Sequence, residues 1–248
     1  MKFGSLFRKN KKPLRCSAVI VAAGSSRRMG SDKIFTSLGD IPVLARTLLA
    51  FENCELIDEI VVVTRNDKII DAADICKKYG INKVSKVILG GSTRTESALI
   101  GVTEVRKGAK LIAIHDGARP LVSQEVICRA ITGADEHMAA IPVISSVDTL
   151  KTVDDNGLVI NTVDRTHTVR VQTPQVFDAD LIKGALTKAA NDGLTLTDDC
   201  AAVEMMGARP YTVEGDEDNI KLTSPGDAVL AAAILKDRGD YLADRSRV

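Results

Sequence analysis

No tryptophan occurs in the chain, and aromatic residues make up only 3% of it. That is too few for the stacking platforms on which single-stranded nucleic acids are bound. Neither sign of charge is in excess, since 33 Lys and Arg balance 33 Asp and Glu. No overall field therefore draws in polyanions, and any anion site must be local; nucleic acid is not an expected partner. No apolar run approaches the length of a membrane-spanning helix, so no membrane contact is expected either. The five cysteines, Cys16, Cys54, Cys76, Cys128 and Cys200, are scattered, with no CxxC or Cys/His spacing for a metal. They read as reduced structural thiols of a cytoplasmic protein.

What is present suits one α/β domain. The chain has 248 residues, 45% hydrophobic and 27% charged, long enough for a sizeable core. Residues 1–15 carry Lys2, Arg8, Lys9, Lys11, Lys12 and Arg15 and no acid, which predicts a flexible basic tail with no secretory signal behind it. A single domain is expected over 16–240. Short β-branched runs at Ala18–Ala22, Glu59–Thr64, Lys86–Leu89, Leu111–His115 and Ala139–Val143 read as strands. Between them, amphipathic helices are predicted over Val43–Phe51, Lys68–Tyr79, Thr93–Val105 and Ser123–Glu136. This alternation predicts a mostly parallel sheet with helices on both faces, and ligands at the carboxyl ends of its strands.

The rhythm breaks near Ser145. Thr149–Val153 and Leu158–Val163 flank Asp154-Asp155-Asn156-Gly157, and Asn-Gly is a strong hairpin signal. A projecting β-arm over about 147–170 follows, with too little apolar surface to stand alone; a second copy of the chain is the simplest thing to cover it. Helices are expected again at Asp178–Asn191, Asp198–Met206 and Pro225–Asp237, with a strand near Tyr211.

Polar residues gather where strands end. After the first strand come Ala22, Ala23, Gly24, Ser25 and Ser26, then Arg27, Arg28 and Lys33. Small residues let an anion approach backbone N–H groups, and the cations neutralise it. The stretch is neither a P-loop nor a dinucleotide fingerprint: five residues separate Gly24 from Gly30, and Ser26 stands at the fingerprint's second glycine. Gly90-Gly91-Ser92-Thr93-Arg94 after the third strand reads either as a helix cap or as a close-approach turn for a ligand. His115-Asp116-Gly117-Ala118-Arg119 ends the fourth strand. Asp116 and Arg119 there are open to two readings, a local salt bridge or a site for Mg²⁺ and phosphate. His115 lacks partners at ligand spacing and reads as a structural histidine. No nucleophile–base set stands out, so the chemistry suggested is positioning and charge stabilisation around phosphate.

The ordered set AAGSSRRMG…DK, GGSTRTES, HDGARP, DTLK, VDR, QTPQ, TDDC and VEGDEDNIKLT resembles the 2-C-methyl-D-erythritol 4-phosphate cytidylyltransferases of non-mevalonate isoprenoid synthesis, from about Ser17 to Leu235. The resemblance implies a Rossmann-like nucleotidyltransferase fold whose arm swaps across a homodimer. It implies transfer of a cytidylyl group from CTP to a polyol phosphate, assisted by Mg²⁺ or another divalent cation. By the same resemblance Arg28, Lys33, Arg165 and Lys221 would be catalytic. Ala22, Ala23, Gly24, Gly91, Ser92, Arg94, Ser97 and Asp116 would hold the nucleotide, with Asp116 taking the metal directly or through water. Arg119, Thr149, Arg165, Thr173, Thr197 and Lys221 would hold the acceptor. Two alternatives stand beside it: a cytidylyltransferase for another polyol phosphate such as ribitol 5-phosphate, and a non-catalytic nucleotide-binding protein.

Overall fold

A computed structural model describes residues 16–24 and 34–239. The basic tail at 1–15 and the loop residues Ser25, Ser26, Arg27, Arg28 and Lys33 lie outside the described residues.

β1 (Cys16–Val21) is the central strand. Its side chains alternate between two cores: Ala18 and Ile20 face one, Val19 the other. A short hairpin follows, β2 (Ser37–Leu38) and β3 (Ile41–Pro42), and leads into α1 (Val43–Glu52). The chain continues through β4 (Ile57–Thr64), α2 (Ile69–Lys78), β5 (Val84–Leu89), α3 (Arg94–Glu104) and β6 (Leu111–Asp116). β1 pairs in parallel with β4 on one side and β6 on the other, and β4 pairs in parallel with β5. The chain therefore moves outward from β1 to β5, then crosses back to lay β6 against the free side of β1. That reversal makes the carboxyl ends of β1 and β6 the crevice where ligands of such sheets bind.

Next come α4 (Gln124–His137) and β7 (Ala139–Ser145), the arm strands β8 (Lys151–Val153) and β9 (Val159–Thr162), then β10 (Val169–Val171) and β11 (Gln175–Asp178). α5 (Ala179–Asn191), α6 (Cys200–Glu204), β12 (Tyr211–Glu214) and α7 (Pro225–Asp237) complete the chain. The main sheet runs β10-β7-β11-β6-β1-β4-β5, with β12 parallel to β7. The expected α/β sheet, mostly parallel with helices on both faces, is present. α1, α2 and α4 cover the side of Ala18, Ile20 and Val62, while α3, α5 and α6 cover the side of Val19, Val61 and Phe177.

The sequence reading has no counterpart for β11, which lies antiparallel between β6 and β7. Ser145 and Ile144 carry β7 past the expected end at Val143, because β10 pairs with them. Val169 and Arg170, counted with the arm by sequence, therefore belong to the main sheet. The hairpin turns at the expected place: Asp154 Oδ1 accepts from the Asn156 and Leu158 N–H groups.

Candidate active site

The crevice is built from five segments. β1 runs into Ala22-Ala23-Gly24, where the Ala22 N–H still donates to the Val63 carbonyl at 2.7 Å and the Gly24 carbonyl accepts from Arg65 at 3.0 Å. The turn after β5 lies against this stretch. A Cβ added at Gly90 would stand 2.8 Å from both the Ala23 Cβ and the Ser97 Oγ, a separation side chains do not tolerate, so only glycine lets the two loops close up. Within the turn, Ser97 Oγ accepts from the Gly91 N–H at 3.1 Å and donates to the Thr93 carbonyl at 2.9 Å. Thr93 caps α3 by accepting from the Glu96 N–H. Glu96 accepts in turn from the Ser92 hydroxyl at 2.6 Å and the Ser92 N–H at 2.7 Å. The helix cap expected of this turn is present.

Asp116, the last residue of β6, is the centre of charge. Lys221 Nζ lies 2.8 Å from its Oδ2, Arg119 Nε 3.7 Å from the same oxygen, and Arg94 Nε 3.4 Å from Oδ1. Burial alone would raise the Asp116 carboxyl; Lys221, Arg94 and Arg119 overcome that and hold it well below the usual carboxylate range. Burial would lower the Arg94 guanidinium, but Asp199 and Asp116 push it above its ordinary value. Arg119 is lowered, by burial first, and its Nη1 donates to the Asn219 carbonyl at 2.7 Å.

The neighbouring loops are tied to this centre by backbone bonds. Leu222 N–H donates to the Ala118 carbonyl at 2.9 Å, which brings Lys221 to Asp116 across more than a hundred residues of chain. Gln172 and Asn219 join the 215–222 loop to the residues before β11: Gln172 Nε2 donates to the Asp216 carbonyl, and Asn219 Nδ2 to that of Thr173. Thr173 is buried, and its hydroxyl accepts from the Asp116 N–H at 3.2 Å.

His115 is fully buried and its pKa is lowered to about 4 by that burial. Its Nε2 lies 3.2 Å from the Arg119 carbonyl and its Nδ1 3.0 Å from Thr173 Oγ1. A carbonyl can only accept, so Nε2 carries the proton and Nδ1 accepts from the threonine hydroxyl. The ring is a neutral strut beneath Asp116, as expected from its isolation in the sequence.

Of the expected site residues, Arg94, Asp116, Arg119, Thr173 and Lys221 fall in one bonded network. Ala22, Ala23, Gly24, Gly91, Ser92 and Ser97 form the wall beside it. Thr149 and Arg165 lie at the base of the arm, exposed, with Arg165 donating to the Val147 carbonyl at 3.1 Å. Thr197 is exposed ahead of α6. Asp199 was passed over among the site residues, yet it is almost fully buried and grips Arg94 with both oxygens, at 2.9 and 2.7 Å. The TDDC motif contains it, but its partner Arg94 stands 105 residues away in the chain. A separate cavity of about 620 Å³ opens between α4, β7 and β12, lined by Ser123, Arg129, Ser145 and Asp216 among others. None of the expected site residues lines it.

Among the described residues no group of three or more His, Cys, Asp or Glu could enclose a metal ion. Asp116 offers one carboxylate, which is what Mg²⁺ takes from a protein when substrate phosphates and water fill its other positions. The donor set thus fits a cation shared with a triphosphate and not a closed protein cage.

The family model described as 2-C-methyl-D-erythritol 4-phosphate cytidylyltransferase matches residues 16–237. A protein of that description from Caldanaerobacter subterraneus subsp. tengcongensis is 41% identical over 226 residues, covering 90% of this chain and 100% of the relative. One from Clostridium botulinum (strain Eklund 17B) is 38% identical over 235 residues, covering 92% of this chain and 99% of the other. Among solved structures, the 4-diphosphocytidyl-2C-methyl-D-erythritol synthase of Anaerococcus prevotii superposes with a TM-score of 0.80 at 33% identity, covering 89% of this chain and 96% of that one.

Proposed function

The chain belongs to the 2-C-methyl-D-erythritol 4-phosphate cytidylyltransferase family, and from that premise we propose how its residues divide the work. The reaction joins the cytidylyl group of CTP to 2-C-methyl-D-erythritol 4-phosphate, giving 4-diphosphocytidyl-2-C-methyl-D-erythritol and diphosphate. An acceptor phosphate oxygen forms a bond to the α-phosphorus of CTP, and the bond from that phosphorus to the oxygen bridging the β-phosphate breaks. The acceptor is already anionic near neutral pH, so no general base is required. Charge repulsion and alignment make the barrier, and fixed cations lower it. The observation that carries this assignment is the set of three cations, Arg94, Arg119 and Lys221, gathered on Asp116 at the switch point of the sheet.

In this reading the nucleotide lies along Ala22, Ala23 and Gly24, with its base at Gly91, Ser92 and Ser97 and Arg94 beside it. Arg28 and Lys33, assigned by sequence alone, face the α-phosphate. Lys221 is exposed and turns from Asp116 to the acceptor phosphate, while Arg119, Thr173 and Thr197 line the acceptor side. Asp116 would hold Mg²⁺ together with the triphosphate, directly or through water; such an ion neutralises phosphate charge and favours departure of diphosphate. Thr149 and Arg165 serve a neighbouring subunit's site in a homodimer built on the arm. Support for the dimer comes from Leu158, Val159 and Ile160, which are 67%, 61% and 67% exposed on a two-stranded hairpin, a unit that is marginal in water on its own. The five cysteines are free thiols, which suits a cytoplasmic location.

Diphosphate release by the purified protein with Mg²⁺ and CTP, offered methylerythritol phosphate or ribitol 5-phosphate, tests the assignment. Turnover is expected with methylerythritol phosphate alone. In Arg28→Ala and Lys221→Ala, kcat/KM should fall by about a hundredfold, as when about 3 kcal/mol of fixed charge stabilisation is removed. Turnover with ribitol 5-phosphate alone would move the function to a different polyol.

A further inference from the structure

Arg94 stands between two carboxylates that hold it differently. Nη1 and Nη2 meet the two oxygens of Asp199 at 2.9 and 2.7 Å, a bidentate fork. Toward Asp116 it presents Nε and Nη2 at 3.4 and 3.5 Å, both to Oδ1. The grip is therefore on Asp199, and Asp116 is only approached. Asp199 cannot follow Arg94 elsewhere, because Gln175 Oε1 accepts from the Asp199 N–H at 3.1 Å and the Cys200 N–H at 2.9 Å, while its Nε2 donates to Asp198 at 2.8 Å. Gln175 belongs to β11, a strand inside the main sheet, so the backbone that carries the Asp199 carboxylate is fastened to a rigid element.

A guanidinium is planar, always charged and shaped to meet two carboxylate oxygens at once. Released from Asp199, the Arg94 fork would need to move only about half an ångström to reach ordinary ion-pair distance from Asp116. It would then cover Oδ1, leaving Oδ2 to Lys221 and Arg119. Asp116 would be enclosed by fixed cations on both oxygens.

We propose that Asp199 is a positioning residue for cytidylyl transfer: by holding the Arg94 fork it keeps that fork's bonds to Asp116 Oδ1 long, at 3.4 and 3.5 Å, so that this oxygen can exchange Arg94 for the nucleotide. This rests on the role proposed above for Asp116. The acid missing from the expected site thus acts on the reaction through Arg94 and touches no substrate.

Asp199→Asn keeps the shape and removes the charge. Its kcat for diphosphate release should fall at least tenfold, with KM for methylerythritol phosphate within about threefold of wild type. Its crystal structure should show the Arg94 fork drawn in to ordinary ion-pair distance on Asp116 Oδ1. Placed in an Arg94→Gln background, the same change should alter kcat by no more than about twofold, since no fork remains to be restrained. Asp199→Glu, which keeps a carboxylate, should recover much of the loss. Gln175→Ala loosens Asp199 without removing a charge, and serves if Asp199→Asn does not fold; a several-fold fall in kcat is expected of it. A lowered melting temperature with wild-type kcat per folded molecule, in either variant, would reduce Asp199 to a structural residue and overturn the proposal. So would equal losses from Asp199→Asn in both backgrounds. No turnover by the wild-type protein would instead sink the cytidylyltransferase assignment itself, so the two failures are distinct.

Discussion

His115 sets one pH dependence that can be read from a single ring. Folding lowers its pKa from 6.5 to about 4, through burial, so the folded protein favours the neutral ring. The unfolded chain takes up this proton first as pH falls. The stability held by neutral His115 is therefore complete above about pH 6.5, declines between 6.5 and 4, and is gone below. The span corresponds to about 3 kcal/mol. Urea unfolding at pH 7 and pH 4.5 should show a smaller pH-dependent loss in His115→Gln than in wild type. Equal losses would mean the ring titrates normally. At this scale the end of β6 drew attention to Asp116 and Arg119 by its local sequence, while Lys221, more than a hundred residues away, was singled out only by the family resemblance. Asp199 was hidden because its importance comes from Arg94 and Gln175, both distant in the chain.

α3 shows how an element can be placed by a residue that disfavours it. Gly101 costs a helix about 1 kcal/mol relative to alanine. Yet a Cβ there would stand 2.3 Å from Val19 Cγ1 and 2.9 Å from Val63 Cγ2, so the glycine is what lets the helix settle on β1 and β4. That contact carries the α3 start, and Arg94 with it, to the crevice. Gly101→Ala should destabilise the protein by about 1–3 kcal/mol in spite of its better helix propensity, measured by thermal unfolding; a gain in stability would contradict this packing. The long helices and the strands β4 and β6 were legible because burial on both faces leaves an unbroken apolar run in each, Ile60–Val63 and Leu111–Ile114. β11 was not. Its four residues are too few to show a period, Pro174 precedes them, and buried Gln175 disguises a central strand as a polar motif.

In the proposed homodimer a second copy of the chain would lie against the arm. The Asn-Gly turn made the hairpin legible, but nothing in a single chain states what covers it. With a second copy as the cover, replacing exposed Ile160 by aspartate should place a charge in the contact. Sedimentation of Ile160→Asp should show the dimer dissociation constant raised at least tenfold, about 1.4 kcal/mol or more, with activity falling as dimer is lost because Thr149 and Arg165 no longer reach a neighbour. A monomeric wild-type protein with full activity would contradict the assembly.

A crystal structure with CTP and Mg²⁺ bound decides whether the crevice between β1 and β6 holds the reacting nucleotide. The expected complex has the cytosine against Gly91, Ser92 and Ser97, the triphosphate along Ala22–Gly24 beside Asp116, and Arg94 still forked on Asp199. A nucleotide bound elsewhere, with the Asp116 cluster unchanged, would contradict it.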